Sequence, residues 1–324
     1  MDTPDFTDHI DFLRKETDKA LKRLPLPQNP STLYDPITYA LKGEGKRLRP
    51  ILTHLVGRAF QADPEDLMNA GIAVELLHNF TLVHDDIMDA DDTRHGQDSV
   101  HIKWNESTAI LAGDGIIVLA QLALNRVHHQ TFQAIKCFNK AALTVCEGQA
   151  MDLDFASGTK IGIMDYLNMI EKKTGSLLGC SAELGGILAN QNENICSHLH
   201  TFGCELGKAF QIQDDILEIF SNPESMGKSL GSDVLTDKQT VLSLLAKKDN
   251  SAEWDKISKE AKELNIHDRL TFLRTYYEKS GIRLKASLLA ETAIEEARRC
   301  LKVIPEMHKA ELEQFALMIL NREK

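Results

Sequence analysis

Aromatic residues are scarce in this chain, 6% of its 324 residues, so a hydrophobic core built from it must be largely aliphatic. Paired cysteines are missing as well. The six thiols, Cys137, Cys146, Cys180, Cys196, Cys204 and Cys300, are scattered, and none belongs to a C-x-x-C pair. That spacing speaks against a zinc site or a disulfide framework and for reduced thiols in a cytoplasmic protein. A surplus of positive charge is lacking too, the formal net charge being −11. Both a nucleic acid and an anionic lipid surface would need basic residues in excess, so neither is an expected partner. No apolar run reaches the roughly 20 residues that span a bilayer. The most apolar stretch, residues 109–124, is interrupted by Asp114 and reads as a buried core helix. Residues 1–17 are acidic, without the apolar segment of a signal peptide. Stable membrane insertion is therefore not expected.

Proline is the next absence. After Pro64 the next prolines are Pro223 and Pro305. A helix interior excludes proline at a cost of about 3 kcal/mol. The long interval is rich in Ala, Leu, Ile, Glu and Gln, and its apolar residues recur at three and four: Leu67, Ala70, Val74, Leu77, Phe80, Val83, Ile87. This periodicity is helical, and strands have no comparable support. Helices are expected near 5–24, 36–42, 48–61, 64–89, 106–128, 130–157, 163–189, 193–221, 238–247, 251–263, 267–280, 282–300 and 305–321. Asp35-Pro36 and Asp63-Pro64 read as helix starts, each a cap followed by proline. No segment resembles a flexible linker. The expected fold is all-α, one helical domain over residues 1–324, packed around a central layer.

What the chain does contain is two clusters of carboxylates inside that apolar pattern: His84-Asp85-Asp86-Ile87-Met88-Asp89 and Gln211-Ile212-Gln213-Asp214-Asp215-Ile216-Leu217-Glu218. Residues four apart on a helix share a face at about 6 Å, so Asp85 faces with Asp89 and Asp214 with Glu218. Like charges so placed repel unless a cation sits between them. An acidic run is ordinarily a solvated helix face, and Asp91-Asp92 is read that way. A second cluster with the same spacing favours a paired metal site. A few hard carboxylate ligands, completed by substrate phosphates, suit Mg²⁺. Cations for a diphosphate then follow each cluster. They are Arg94-His95-Gly96 after the first, and Lys228 and Lys238 after the second, with Lys173 and the basic turn Gly45-Lys46-Arg47-Leu48-Arg49-Pro50 elsewhere. Arginine forks grip phosphate oxygens in pairs, and lysine acts as a compact charge.

Taken in order, these elements resemble the trans-isoprenyl diphosphate synthases, the polyprenyl synthetase family. The series is Gly45 to Pro50, His78, Asp85-Asp86-x-x-Asp89 with Arg94, Gly113-Asp114, Glu147-Gly148-Gln149-x-x-Asp152, Lys173-Thr174, Phe210-Gln211-x-x-Asp214-Asp215 and Lys228-x-x-x-x-Asp233-x-x-x-x-Lys238. The resemblance implies an isoprenoid synthase-like bundle around a cavity, and a homodimer. It implies three Mg²⁺ held by Asp85, Asp89 and Asp214, with Asp86, Asp215, Glu218 and Asp233 as supporting carboxylates. Arg94, Lys173, Lys228 and Lys238 would hold an allylic diphosphate, and Lys46, Arg49, His78 and His95 isopentenyl diphosphate. Lys173, Thr174 and Gln211 would line the carbocation. His95 stands where the family usually carries a second arginine. Phe80, with Thr81 beside it, lies one and a half turns before Asp85 and would floor the cavity for the growing chain. An aromatic there implies a C20 geranylgeranyl product, with C15 farnesyl next. A terpene cyclase would lack the Lys46/Arg49 turn, and a di-metal carboxylate bundle would need a second Glu-x-x-His. The remaining rival is a non-catalytic regulatory subunit of a heteromeric synthase.

Overall fold

The computed structural model describes residues 6–43, 45–94, 96–221, 234 and 237–321. Its elements run α1 (Phe6–Lys22), α2 (Ser31–Leu41), α3 (Leu48–Ala59), α4 (Pro64–Met88), β1 (Thr93–Arg94), β2 (Gln97–Asp98), α5 (Val100–Lys103), α6 (Glu106–Leu124), α7 (Thr131–Ala156), α8 (Ile163–Ile170), α9 (Ser176–Leu188), α10 (Glu193–Phe220), α11 (Val241–Asp249), α12 (Ser251–Lys262), α13 (Ile266–Lys279), α14 (Ile282–Cys300) and α15 (Glu306–Leu320). The fold is all-α. The expected prolyl start of α4 is present: the Asp63 carboxylate accepts from the amides of Glu65 and Asp66 at 2.8 and 3.2 Å. From Ala70 to Leu77 every side of α4 is buried, which is why its sequence is apolar all round. α4 packs on α3, α6 and α9, and α9 in turn on α10. Asp66, buried in the first turn of α4, accepts both amides and both Nδ1 groups of His128 and His129. That one carboxylate fastens the α6–α7 loop to the central helix.

Four expectations change. α2 starts at Ser31, and Pro36 lies inside it; burial of Ile37 and Leu41 offsets the backbone bond that Pro36 cannot make. The span 163–189 is not one regular helix: residues Glu171–Gly175 form a π turn between α8 and α9. β1 and β2 make a two-residue antiparallel hairpin, pairing Thr93 with Asp98 and Arg94 with Gln97, and Asp91-Asp92 lie on the turn that leads into it, off the helix. α6 is buried on one face only, although it is long and apolar enough by length and composition to cross a membrane. Its other face exposes Ile110, Leu111, Val118 and Leu122.

Where α1, α3 and α15 meet, His9 pairs with Glu311, which also binds Arg58. His54 beside them is buried, with its Nε2 unpartnered. Burial, and then the proximity of His9, push the His54 imidazole down to about 4. An unfolded His54 takes up its proton near 6.5, so the unfolded state gains protons first as pH falls. The stability that His54 contributes as a neutral ring is therefore complete above pH 6.5 and is lost on the way down to about pH 4. The shift is worth on the order of 3 kcal/mol. Thermal unfolding should show wild type losing more stability between pH 7 and 4.5 than His54→Leu; parallel curves would contradict the assignment.

Candidate active site

The end of α4, the π turn, the middle of α7 and the last turns of α10 converge. Glycines make this possible. A Cβ on Gly148 of α7 would lie 2.4 Å from the amide nitrogen of Lys173, and one on Gly207 of α10 would lie 2.4 Å from the Cα of Gly175. The π turn is thus clamped, backbone to backbone, between two helices. It widens the helix where Lys173 and Thr174 leave it, as such turns often do at functional sites.

Asp152 is the hub of the first group. Its buried carboxylate accepts from Lys173 at 2.7 Å and lies 3.2 Å from Lys238. Burial opposes its charge, but Lys238 and Lys173 outweigh burial and hold it below the usual carboxylate range. Lys173 also lies 3.9 Å from Asp85. Burial raises the Asp85 carboxyl, Lys173 draws it back, and Asp89 raises it further. Asp85 therefore gains from any further cation. Asp89 caps the C-terminal end of α4 and is exposed, while Asp214 on α10 is half-buried. Thr174 Oγ1 donates to Gln211 at 3.1 Å, and Gln211 donates to Asp215 at 3.2 Å. Asp215 also accepts from the Tyr166 hydroxyl at 2.6 Å and the Val241 amide at 2.9 Å. It ties α10 to α8 and α11, a supporting role. Glu218 is buried beyond it.

A second group faces a cavity of about 810 Å³ lined by Lys46, Arg47, Arg49, His78, Arg94 and Phe210 among others. Arg49 is half-exposed as a residue, but its Nε is sealed from solvent and has no hydrogen-bond partner. Burial lowers its pKa, and Glu75 partly offsets this. A buried guanidinium nitrogen left unpaired is costly, and an anion in the cavity would relieve it. Arg47 is the N-cap of α3 in a left-handed conformation, φ 51°, which bulky side chains rarely adopt. Arg94, carried by the hairpin, donates through Nε to Asp86 at 2.8 Å and also reaches Asp91 at 3.3 Å.

The structure therefore brings Lys46, Arg49 and His78 together as the sequence implies. It sets Asp85, Lys173 and Lys238 around Asp152, and Thr174, Gln211 and Asp215 in a chain. Arg94 pairs with Asp86 and lines the second cavity, and from there its charge also acts on Asp85, as those of Lys173 and Lys238 do. Among the described residues no three metal-ligating side chains already converge, so Asp85, Asp89 and Asp214 are not a preformed cluster. Phe80 is half-buried with its ring 4.7 Å from that of His84, and the Thr81 hydroxyl donates to the His78 carbonyl. His95, Lys228 and Asp233 lie outside the described residues. Asp152 as a hub, and the Arg47–Glu75 contact, were missed by the sequence reading. The glycine four residues before Asp152 was the available signal.

Residues 30–271 match the family described as Polyprenyl synthetase. The geranylgeranyl diphosphate synthase of Methanosarcina mazei is 34% identical over 320 residues, 98% of either chain. That of Saccharolobus solfataricus is 34% identical over 307 residues, 91% of this chain and 92% of the relative. The geranylfarnesyl diphosphate synthase of Aeropyrum pernix is 33% identical over 301 residues, 90% and 93% of the two chains. A solved geranylgeranyl pyrophosphate synthase superposes with a TM-score of 0.90 at 34% identity over 100% of both chains. The corresponding synthetase of Pyrococcus horikoshii gives 0.86 at 32% identity, with coverage of 98% and 99%.

Proposed function

The chain belongs to the polyprenyl synthetase family and is a short-chain trans-prenyltransferase; from that premise we propose that it joins isopentenyl diphosphate to allylic diphosphates, head to tail, to make geranylgeranyl diphosphate. The observation that carries this reading is the division of cations into two places. Lys173 and Lys238 stand with Asp85 and Asp152, while Lys46 and the unpaired Arg49 face the 810 Å³ cavity. Two anionic substrates need two such places.

Asp85, Asp89 and Asp214 fit Mg²⁺: all are hard oxygen donors, and burial makes a further cation welcome at Asp85. Three ions are expected. Held by Asp85, Asp89 and Asp214, Mg²⁺ would supply positive charge to the leaving diphosphate. Lys173 and Lys238, with Lys228 and Arg94, share the same charge. The Thr174 hydroxyl and the Gln211 amide, already hydrogen-bonded to one another, offer weak dipoles to the carbocation without a nucleophile that would trap it. Lys46, Arg49 and His78 hold isopentenyl diphosphate, whose double bond attacks the cation. The proton then lost from the new C–C unit passes to the departing diphosphate, so no enzyme base is required.

Product length is read from Phe80, one and a half turns before Asp85 with its ring against His84. Wild type should give C20 from dimethylallyl, geranyl or farnesyl diphosphate when products are sized by mass spectrometry. Phe80→Ser should lengthen the product. An unchanged length in the variant would remove Phe80 as the ruler. The exposed apolar face of α6, Ile110, Leu111, Val118 and Leu122, supports a homodimer formed by two copies of this helix. Light scattering at assay concentration should report twice the 36.2 kDa chain mass, and Leu111→Glu with Val118→Glu should shift it to one. The six free thiols support a cytoplasmic protein.

A further inference from the structure

Asp18, Arg47 and Glu75 converge behind the basic turn, and none of them has a role in the proposed reaction. Arg47 is buried and fully engaged. Its Nε donates to Asp18 of α1 at 2.8 Å, Nη1 to Glu75 of α4 at 2.8 Å and Nη2 to the Gly43 carbonyl at 2.7 Å. Burial opposes the charge on Arg47, but Glu75 and Asp18 outweigh it. Glu75 is itself buried in the central helix, 3% exposed. One of its oxygens takes Arg47, and the other has no hydrogen-bond partner. Arg49, two residues on, has the buried Nε that is likewise unpaired. An unpaired carboxylate oxygen and an unpaired guanidinium nitrogen thus lie close enough for the charge of Glu75 to act on Arg49.

We propose that Arg47 is a positioning residue for isopentenyl diphosphate: by anchoring the 43–49 turn to α1 and α4 and by occupying Glu75, it keeps Arg49 available to the substrate. Two physical effects act together. The three hydrogen bonds hold Arg47 in its left-handed conformation, and that conformation sets where Lys46 and Arg49 leave the chain on either side. The pairing of Glu75 with Arg47 also prevents the same carboxylate from closing on Arg49. Were Arg47 lost, Glu75 would be a buried charge without a partner, and Arg49 is the nearby cation that could satisfy it. The diphosphate would then compete with Glu75 for Arg49. The central helix therefore carries a carboxylate that tunes the substrate cavity without touching the reacting atoms.

The inference rests on the reading of this cavity as the isopentenyl diphosphate site. It is tested with full-length wild type, Arg47→Met, Arg47→Lys, and Arg47→Met combined with Glu75→Gln, measuring KM for isopentenyl diphosphate and for farnesyl diphosphate separately. Arg47→Met should raise KM for isopentenyl diphosphate about tenfold and leave that for the allylic primer within about twofold. Arg47→Lys keeps the charge and loses the fork, so it should fall between. Neutralising Glu75 in the Arg47→Met background should recover at least about half of the logarithmic loss, because the competitor for Arg49 is gone. A merely structural role predicts instead that Glu75→Gln, by neutralising the carboxylate that Arg47→Met leaves unpaired, restores melting temperature and moves both KM values together. If Arg47→Met does not fold, Asp18→Asn removes one of the three bonds at a part-exposed carboxylate and should raise the same KM alone, by about twofold to fivefold. Calorimetric titration of isopentenyl diphosphate gives the affinity without turnover and should follow the same order. Equal rises in both KM values, a change below twofold, or no recovery with Glu75→Gln would overturn the proposal. A wild type that condenses nothing and binds no isopentenyl diphosphate would instead overturn the reading of the cavity.

Discussion

Asp85→Asn should lower the condensation rate by about a thousandfold, roughly 4 kcal/mol of transition-state stabilisation, without unfolding the protein. Asp85 is about four-fifths buried, and its one described ion-pair contact, to Lys173, is long at 3.9 Å. Lys173 keeps a shorter bond to Asp152 at 2.7 Å when Asp85 is neutralised. Burial and Asp89 both disfavour the Asp85 charge, so its removal relieves the resting protein. The fold thus gains little from this carboxylate, while in the proposed reaction it would hold a cation at the leaving diphosphate. Melting temperature should stay level or rise as the rate collapses. A rate within tenfold of wild type at saturating Mg²⁺ would remove Asp85 from the metal set.

Gly148→Ala should lower the condensation rate by about a hundredfold. The added Cβ would fall 2.4 Å from the Lys173 nitrogen, 2.7 Å from its Cα and 2.8 Å from the Lys172 carbonyl carbon. All three are backbone atoms, so no rotamer change relieves the overlap. α7 and the π turn must part by about 1 Å, and displacements of that size cost on the order of a hundredfold in rate when they move reacting groups. Overpacking adds about 1–3 kcal/mol of destabilisation. The shift also carries Asp152 away from Lys173, since both lie beside the contact. Rates measured well below the unfolding temperature separate the two effects. Gly207→Ala pushes on the other side of the same turn and should behave alike. A Gly148→Ala enzyme with full kcat would mean that the close approach does not position Lys173.

Much of this was legible in the sequence because it depended on local periodicity. The 3.6-residue repeat from Leu67 to Ile87, the Asp63-Pro64 cap and the i, i+4 aspartates each state their geometry within a few residues. What escaped depends on tertiary contact. The π turn adds one residue to a helix whose neighbours, Gly148 and Gly207, lie far away in the chain. The hairpin at 93–98 is too short for alternation to show, yet it brings Arg94 onto Asp86. Asp152 looks like any acid on a long helix until Lys173 and Lys238 arrive from elsewhere. The apolar outer face of α6 has the composition of a core helix and is told apart only by what covers it. Glu75 is the sharpest case: a carboxylate in the middle of an apolar run is unintelligible without Arg47.

In the proposed reaction, carboxylates on α4 and α10 recruit Mg²⁺ to an allylic diphosphate while a separate cavity supplies isopentenyl diphosphate. The most direct measurement is incorporation of labelled isopentenyl diphosphate into farnesyl diphosphate by purified wild type, with Mg²⁺, after chelation, and after Mg²⁺ is restored. A C20 product should form with Mg²⁺, fall to background on chelation and return with the metal. Undiminished condensation in chelator would contradict the metal clamp. Folded protein that forms no product with Mg²⁺ and any allylic primer would contradict catalysis itself and identify the chain as a regulatory partner.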